Sequence, residues 1–114
     1  MSDCLFCRIA AGSVPSAKVY EDDMVYAFKD IDPQAPLHVL IIPKKHIQSV
    51  LQAGGENAPY VAAMMDAARK IAKDAGVDES GFRLVMNTGA DGGQTVDHLH
   101  AHLLGGRSLG WPPG

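Results

Sequence analysis

Hydrophobic positions change rhythm several times along the chain, and each rhythm predicts an element. Leu5 to Ala10 places Phe6 and Ile9 on one side of a short helix, with Gly12 as its stop. Lys18 to Glu21 and Met24 to Phe28 are rich in Val, Tyr and Phe. Glu21-Asp22-Asp23 between them reads as a tight turn, so a hairpin is expected. Asp32-Pro33-Gln34-Ala35-Pro36 breaks the chain, and Leu37 to Ile42 follows as a buried strand ended by Pro43. Gln52 to Asn57, with Gly54-Gly55, reads as a loop. The clearest element is a helix from about Pro59 to Ala75. Its apolar positions Val61, Met64, Met65, Ala68, Ile71, Ala72 and Ala75 recur with helical spacing. Pro59 suits its first turn and Gly76 its left-handed end. Phe82 to Asn87 is a strand, Thr88 to Gln94 is glycine-rich turn, and Val96 to Leu104 is the last strand, ended by Gly105-Gly106.

This order predicts an α+β fold: a five-stranded, mostly antiparallel sheet with one long and one short helix. The 114 residues fit a single domain, 1–114. One long helix covers one face of such a sheet, so the other face meets solvent, a ligand or another subunit. Hydrophobic residues at 46 % and charged residues at 20 % are ordinary globular composition. A net charge of −3 argues against a grip on nucleic acid by bulk charge. It leaves room for a small anion held by a few aimed donors. No stretch approaches the roughly 20 apolar residues of a membrane span, so no membrane association is expected. The mixed, acidic start does not read as a secretory leader, and a cytoplasmic location is expected.

The chemistry concentrates in His98-Leu99-His100-Ala101-His102. On a strand the three imidazoles share one face, with Cα atoms about 6.7 Å apart, while Leu99, Ala101 and Leu103 point under the long helix. Three rings in a row contribute little to packing, and each needs partners when buried. A solvated cluster or an opportunistic metal site is the competing reading. Glycine pairs on both sides of the strand favour a ligand instead. Gly89, Gly92 and Gly93, with Gln94 and Thr95, make a plausible phosphate cradle, although Asp91-Gly92-Gly93 also suits a hairpin turn. Near the start, Cys4 and Cys7 are spaced C-x-x-C. They supply half of a tetrahedral zinc site, or simply two thiols on a short helix. A thioredoxin-like redox role is disfavoured, because no βαβ unit surrounds them.

His98-Leu99-His100-Ala101-His102-Leu103-Leu104 resembles the signature of the histidine triad (HIT) nucleotide-binding proteins, and the whole chain is similar to the Hint branch. Phe28-Lys29-Asp30-Ile31, Pro33-Gln34-Ala35-Pro36, Ile42-Pro43-Lys44-Lys45-His46-Ile47, Asp91-Gly92-Gly93-Gln94-Thr95 and the final Trp111-Pro112-Pro113-Gly114 carry the resemblance further. Ala101 stands where the family usually has a larger apolar residue, and Thr95 where Hint proteins often carry Ser.

The resemblance implies a purine nucleoside phosphoramidase and nucleotidyl hydrolase acting on AMP- or GMP-type phosphoramidates. His100 matches the nucleophile, which forms a covalent nucleotidyl-histidine intermediate. His102, His98, His38 and Thr95 match its supporting residues. The implied nucleoside slot uses Phe6, Ile9, Phe28 and Ile31, with Asp30 accepting from the ribose. Asn87, Gly93, Gln94, Thr95, His100 and His102 would surround the phosphate. No cofactor is required for this chemistry. Bacterial-type relatives with the cysteine pair resemble zinc binders, which implies a structural zinc on Cys4, Cys7, His46 and His98. The family also implies a homodimer whose C-terminal tail nears the partner's site. The alternatives are a diadenosine polyphosphate hydrolase, or a nucleotide-binding regulatory module with vestigial catalysis.

Overall fold

A computed structural model describes residues 3–114. The helices and strands are α1 (Leu5–Ala10), β1 (Lys18–Glu21), β2 (Val25–Lys29), β3 (Leu37–Pro43), α2 (Ala58–Asp74), β4 (Phe82–Val85), α3 (Gly89–Gly92) and β5 (Ala101–Gly105), with two short 3-10 turns, Val50–Gln52 and Gly55–Asn57, ahead of α2. The five strands form one antiparallel sheet in the order β1-β2-β3-β5-β4. The expected fold class and element order are therefore present.

The sheet has two apolar faces, and the period-two pattern of β2 and β3 decides which residues lie on each. Val25, Ala27, Val39, Ile41, Ala101 and Leu103 turn toward α2, where Met64, Ala67, Ala68 and Ile71 meet them. Tyr26, Phe28, Leu40 and Ile42 turn the other way and pack with Phe6 and Ile9 of α1. The register brings Phe28 opposite Leu40, and Leu40 opposite His102. Helix α1 thus covers the face that α2 cannot reach. Helix α2 ends where Gly76, at φ +74°, reverses the chain. The amides of Gly76 and Val77 then bond back to the carbonyls of Lys73 and Ala72.

Three expectations need correction. The last strand begins at Ala101 rather than Val96, so His102 lies in the ladder while His98 and His100 precede it. The reason is the neighbour: β3 pairs with β5 only from Leu37 to Ile41, and beyond Pro43 the chain leaves the sheet. The Leu99 amide instead bonds to the Ile47 carbonyl. Strand β4 stops at Val85, short of Asn87. The Asp91-Gly92-Gly93 segment closes the one-turn helix α3 and makes no hairpin, with Gly93 as its left-handed cap.

Candidate active site

Alternation survives where the ladder does not. Leu99, Ala101 and Leu103 are buried in the α2-side core. The Phe6 ring meets the rings of His98 and His100 edge-on, at centroid distances of 6.0 and 5.2 Å. The His100 and His102 rings are 5.1 Å apart. The three histidines therefore line one side, as the spacing predicts.

Each ring has a distinct task written in its hydrogen bonds. His100 Nδ1 lies 2.7 Å from the His98 carbonyl oxygen, which can only accept. Nδ1 must then carry the proton, and Nε2 of the neutral ring keeps a lone pair. His38 Nδ1 accepts from the Gln34 amide at 3.0 Å, so its Nε2 carries the proton. That Nε2 lies 2.9 Å from His102 Nδ1 and 3.4 Å from Asp30 Oδ2. His102 Nδ1 accepts, which leaves Nε2–H of His102 as a donor. One backbone amide thus sets the tautomer of two rings in series. Burial holds the pKa of His102 below the usual histidine value. The neighbouring His100 and His38 push the same way, against Asp30. His102 is therefore neutral near pH 7.

Asp30, His38 and His102 bring three ligand atoms within 4.8 Å of one another. A metal there would have to displace the proton that the Gln34 amide fixes on His38 Nε2. Hydrogen bonding accounts for this trio better than a metal does.

The Cys4–Cys7–His46–His98 cluster behaves differently. Cys4 caps the N-terminus of α1, and its sulfur accepts from the Cys7 amide. His98 Nε2 donates to the Pro43 carbonyl at 2.9 Å, so Nδ1 is a bare lone pair in the neutral ring. Burial, the largest influence on the buried His98, holds its pKa low and keeps it neutral, as a ligand must be. His98 Nδ1 lies 3.2 Å from Cys4 Sγ, 3.4 Å from Cys7 Sγ and 3.2 Å from His46 Nδ1. Cys7 Sγ lies 3.3 Å from His46 Nδ1. In tetrahedral zinc the N···N and S···N edges are about 3.3 and 3.6 Å, from the usual bond lengths. The four residues therefore fit zinc in ligand type and spacing. The sequence-predicted metal residues are brought together.

Other predicted site residues are more scattered. Phe6, Ile9 and Phe28 pack as one cluster, with Phe6 and Phe28 at 5.5 Å. Ile31 does not join them and is fully exposed at 101 %. Asp30 Oδ1 accepts from the Asp32 amide, and this turn directs Ile31 outward. Asn87 is half-buried just beyond β4, with the α3 turn packed over its backbone. Gly93 and Thr95 are exposed at the mouth of the loop. Gln94 is braced rather than free to donate to a phosphate: Nε2 bonds to the carbonyls of Gln48 and Val96, and Oε1 accepts from the Gly89 amide. The downstream glycine pair also has another use. A Cβ on Gly105 would meet Val77 at 3.2 Å, and one on Gly106 would meet Pro36 at 2.9 Å. That pair admits the chain's own side chains, not a ligand. Sequence reasoning missed Val14, Tyr26, Leu40 and Val96 around Phe6 and Phe28. The alternation of Tyr26 with Phe28, and of Leu40 with His38, would have found two of them.

Three ordered imidazoles thus stand beside an apolar wall, with His102 in the sheet and His98 and His100 just ahead of it. A HIT domain matches residues 11–109, and the chain belongs to that family. It is 48 % identical to a purine nucleoside phosphoramidase of Escherichia coli K12, over 95 % of this chain and 91 % of that one. It is 49 % identical to an uncharacterized HIT-like protein of Synechococcus elongatus, over 98 % of this chain and 97 % of the relative. A crystal structure of a HIT family hydrolase from Legionella pneumophila superposes with a TM-score of 0.96 at 49 % identity, covering 98 % of this chain and 100 % of that one. A histidine triad nucleotide-binding protein from Candida albicans gives 0.83 at 34 % identity, over 96 % and 83 %.

Proposed function

We propose that this protein is a hydrolase of purine nucleoside phosphoramidates, working through a nucleotidyl-histidine intermediate on His100. One observation carries the reading: the His98 carbonyl at 2.7 Å holds the proton on His100 Nδ1 and leaves the Nε2 lone pair available. The purine nucleoside phosphoramidase of Escherichia coli, at 48 % identity, supports the substrate class. Nε2 attacks the α-phosphorus, a P–N bond forms to the ring, and the P–N bond to the leaving amine breaks as the amine takes up a proton. Water then attacks phosphorus, the bond to Nε2 breaks, and a nucleoside monophosphate leaves. His102 Nε2–H donates to a phosphoryl oxygen as charge shifts onto it. Phe6, Ile9 and Phe28 wall the nucleoside, Asp30 receives the ribose hydroxyls, and Asn87, Gly93 and Thr95 border the phosphate. Gln94 holds the loop in place. Zinc on Cys4, Cys7, His46 and His98 is structural and supplies a rigid tether for α1. Two copies associate through the β4 edge.

Purified protein should release amine from an adenosine phosphoramidate, and His100→Ala should abolish turnover while still binding AMP. Wild-type turnover by His100→Ala would overturn the assignment. Faster cleavage of diadenosine polyphosphate than of phosphoramidate would favour the dinucleotide reading instead. Binding of AMP without turnover of either substrate would favour a regulatory module.

A further inference from the structure

We propose that zinc at the cysteine–histidine cluster and a purine nucleotide at His100 bind cooperatively, linked by His98 and by helix α1. The inference rests on the nucleotide reading above and goes beyond it, because it makes metal occupancy a determinant of nucleotide affinity.

His98 is the first link. Its ring nitrogen Nδ1 faces Cys4, Cys7 and His46, while its own carbonyl receives the His100 Nδ1 proton. Coordination that fixes the ring also fixes the adjoining peptide. That peptide sets which nitrogen of His100 is bare. Helix α1 is the second link. Cys4 and Cys7 flank Phe6 in sequence, and Ile9 follows one turn later. Phe6 touches the rings of Phe28, His98 and His100 edge-on. A six-residue helix is too short to hold itself by its own hydrogen bonds. Its position depends on what anchors its start and what its apolar side packs on. The tether that holds the metal and the wall that holds the nucleoside are therefore one element.

Two ligands that order the same element share the ordering cost, so whichever binds first favours the second. Linkage requires the two effects to be equal. A factor on the order of tenfold is expected, within the usual range for coupled sites.

The test uses the full chain, zinc-loaded and chelator-stripped, with AMP as the probe. Calorimetry should give about tenfold tighter AMP binding to the zinc form. Chelator competition should give zinc affinity raised by the same factor in saturating AMP. Nitrogen-15 spectra should place the His100 proton on Nδ1 alone in the zinc form and on a mixture of nitrogens without it. Protein produced in zinc-depleted, cobalt-supplemented medium needs no stripping, and AMP should shift its visible bands. Phe6→Leu keeps all four ligands and should retain zinc while reducing the coupling factor. Equal AMP affinity in both forms, or cobalt bands indifferent to AMP, overturns the coupling and leaves the proposed activity standing. A chain that retains no zinc overturns the metal assignment and the coupling together. AMP binding to neither form overturns the nucleotide reading itself.

Discussion

At the scale of single residues, protonation and backbone contact decide what the site can do. His102 has a pKa held below the ordinary histidine value by burial first and by His100 and His38 next. A proton added to its Nδ1 would oppose the Nε2–H of His38, 2.9 Å away. The acid limb of kcat/KM is therefore expected below about pH 6.5, the unperturbed value. A limb at or above that value would contradict a neutral His102. The same shift bears on stability. The unfolded chain takes up this proton near pH 6.5 and the folded chain only at lower pH, so stability falls across that window and levels off beneath it. Thermal midpoints measured from pH 8 to pH 5 check the sign. Gly106 shows a different constraint. It combines φ +89° with a Cβ position 2.9 Å from Pro36. Gly106→Ala should destabilise by at least the roughly 1–2 kcal/mol of the left-handed conformation, read by urea unfolding. An unchanged midpoint would mean the Pro36 loop yields.

At the scale of elements, the strand that carries His102 is anchored in the core by Ala101 and Leu103. Leu103 is wholly buried in the α2-side core and lies opposite Val39 and Leu84. Leu103→Ala should cost about 2–5 kcal/mol, the range for a truncated core leucine, and chemical denaturation measures it. A loss under 1 kcal/mol would mean that α2 settles into the space. The elements themselves were largely legible from sequence. The helical spacing of Met64, Ala68, Ile71 and Ala72 and the Gly76 stop located α2, because a one-sided helix must bury that stripe. The start of β5 was not legible. Val96 to Leu104 has a strand's composition throughout, yet a strand exists only where a neighbour supplies hydrogen bonds, and β3 supplies none before Ala101.

At the scale of the whole molecule, the sheet has two edges, β1 and β4. Strand β4 carries Phe82, 38 % exposed, and half-buried Leu84 and Val85. An edge of this kind pairs readily with a second copy. Sedimentation at micromolar concentration is expected to give a two-chain species, and a stable monomer would count against it. Among the described residues no helix is long and apolar enough to cross a membrane.

The sequence by itself determined which side of the chain the three histidines occupy. Periodicity is local: His98, His100 and His102 alternate with buried neighbours whatever lies beside them. Tertiary structure alone decided the protons and the partners. His38 reaches His102, His98 reaches Pro43, and Gln94 reaches Gln48 across the fold, while the Gln34 amide meets His38 from only four residues away. The first three contacts join segments far apart in the chain, and together with the His98 carbonyl they leave one bare lone pair on His100, one N–H on His102 and one lone pair of His98 facing the two cysteines.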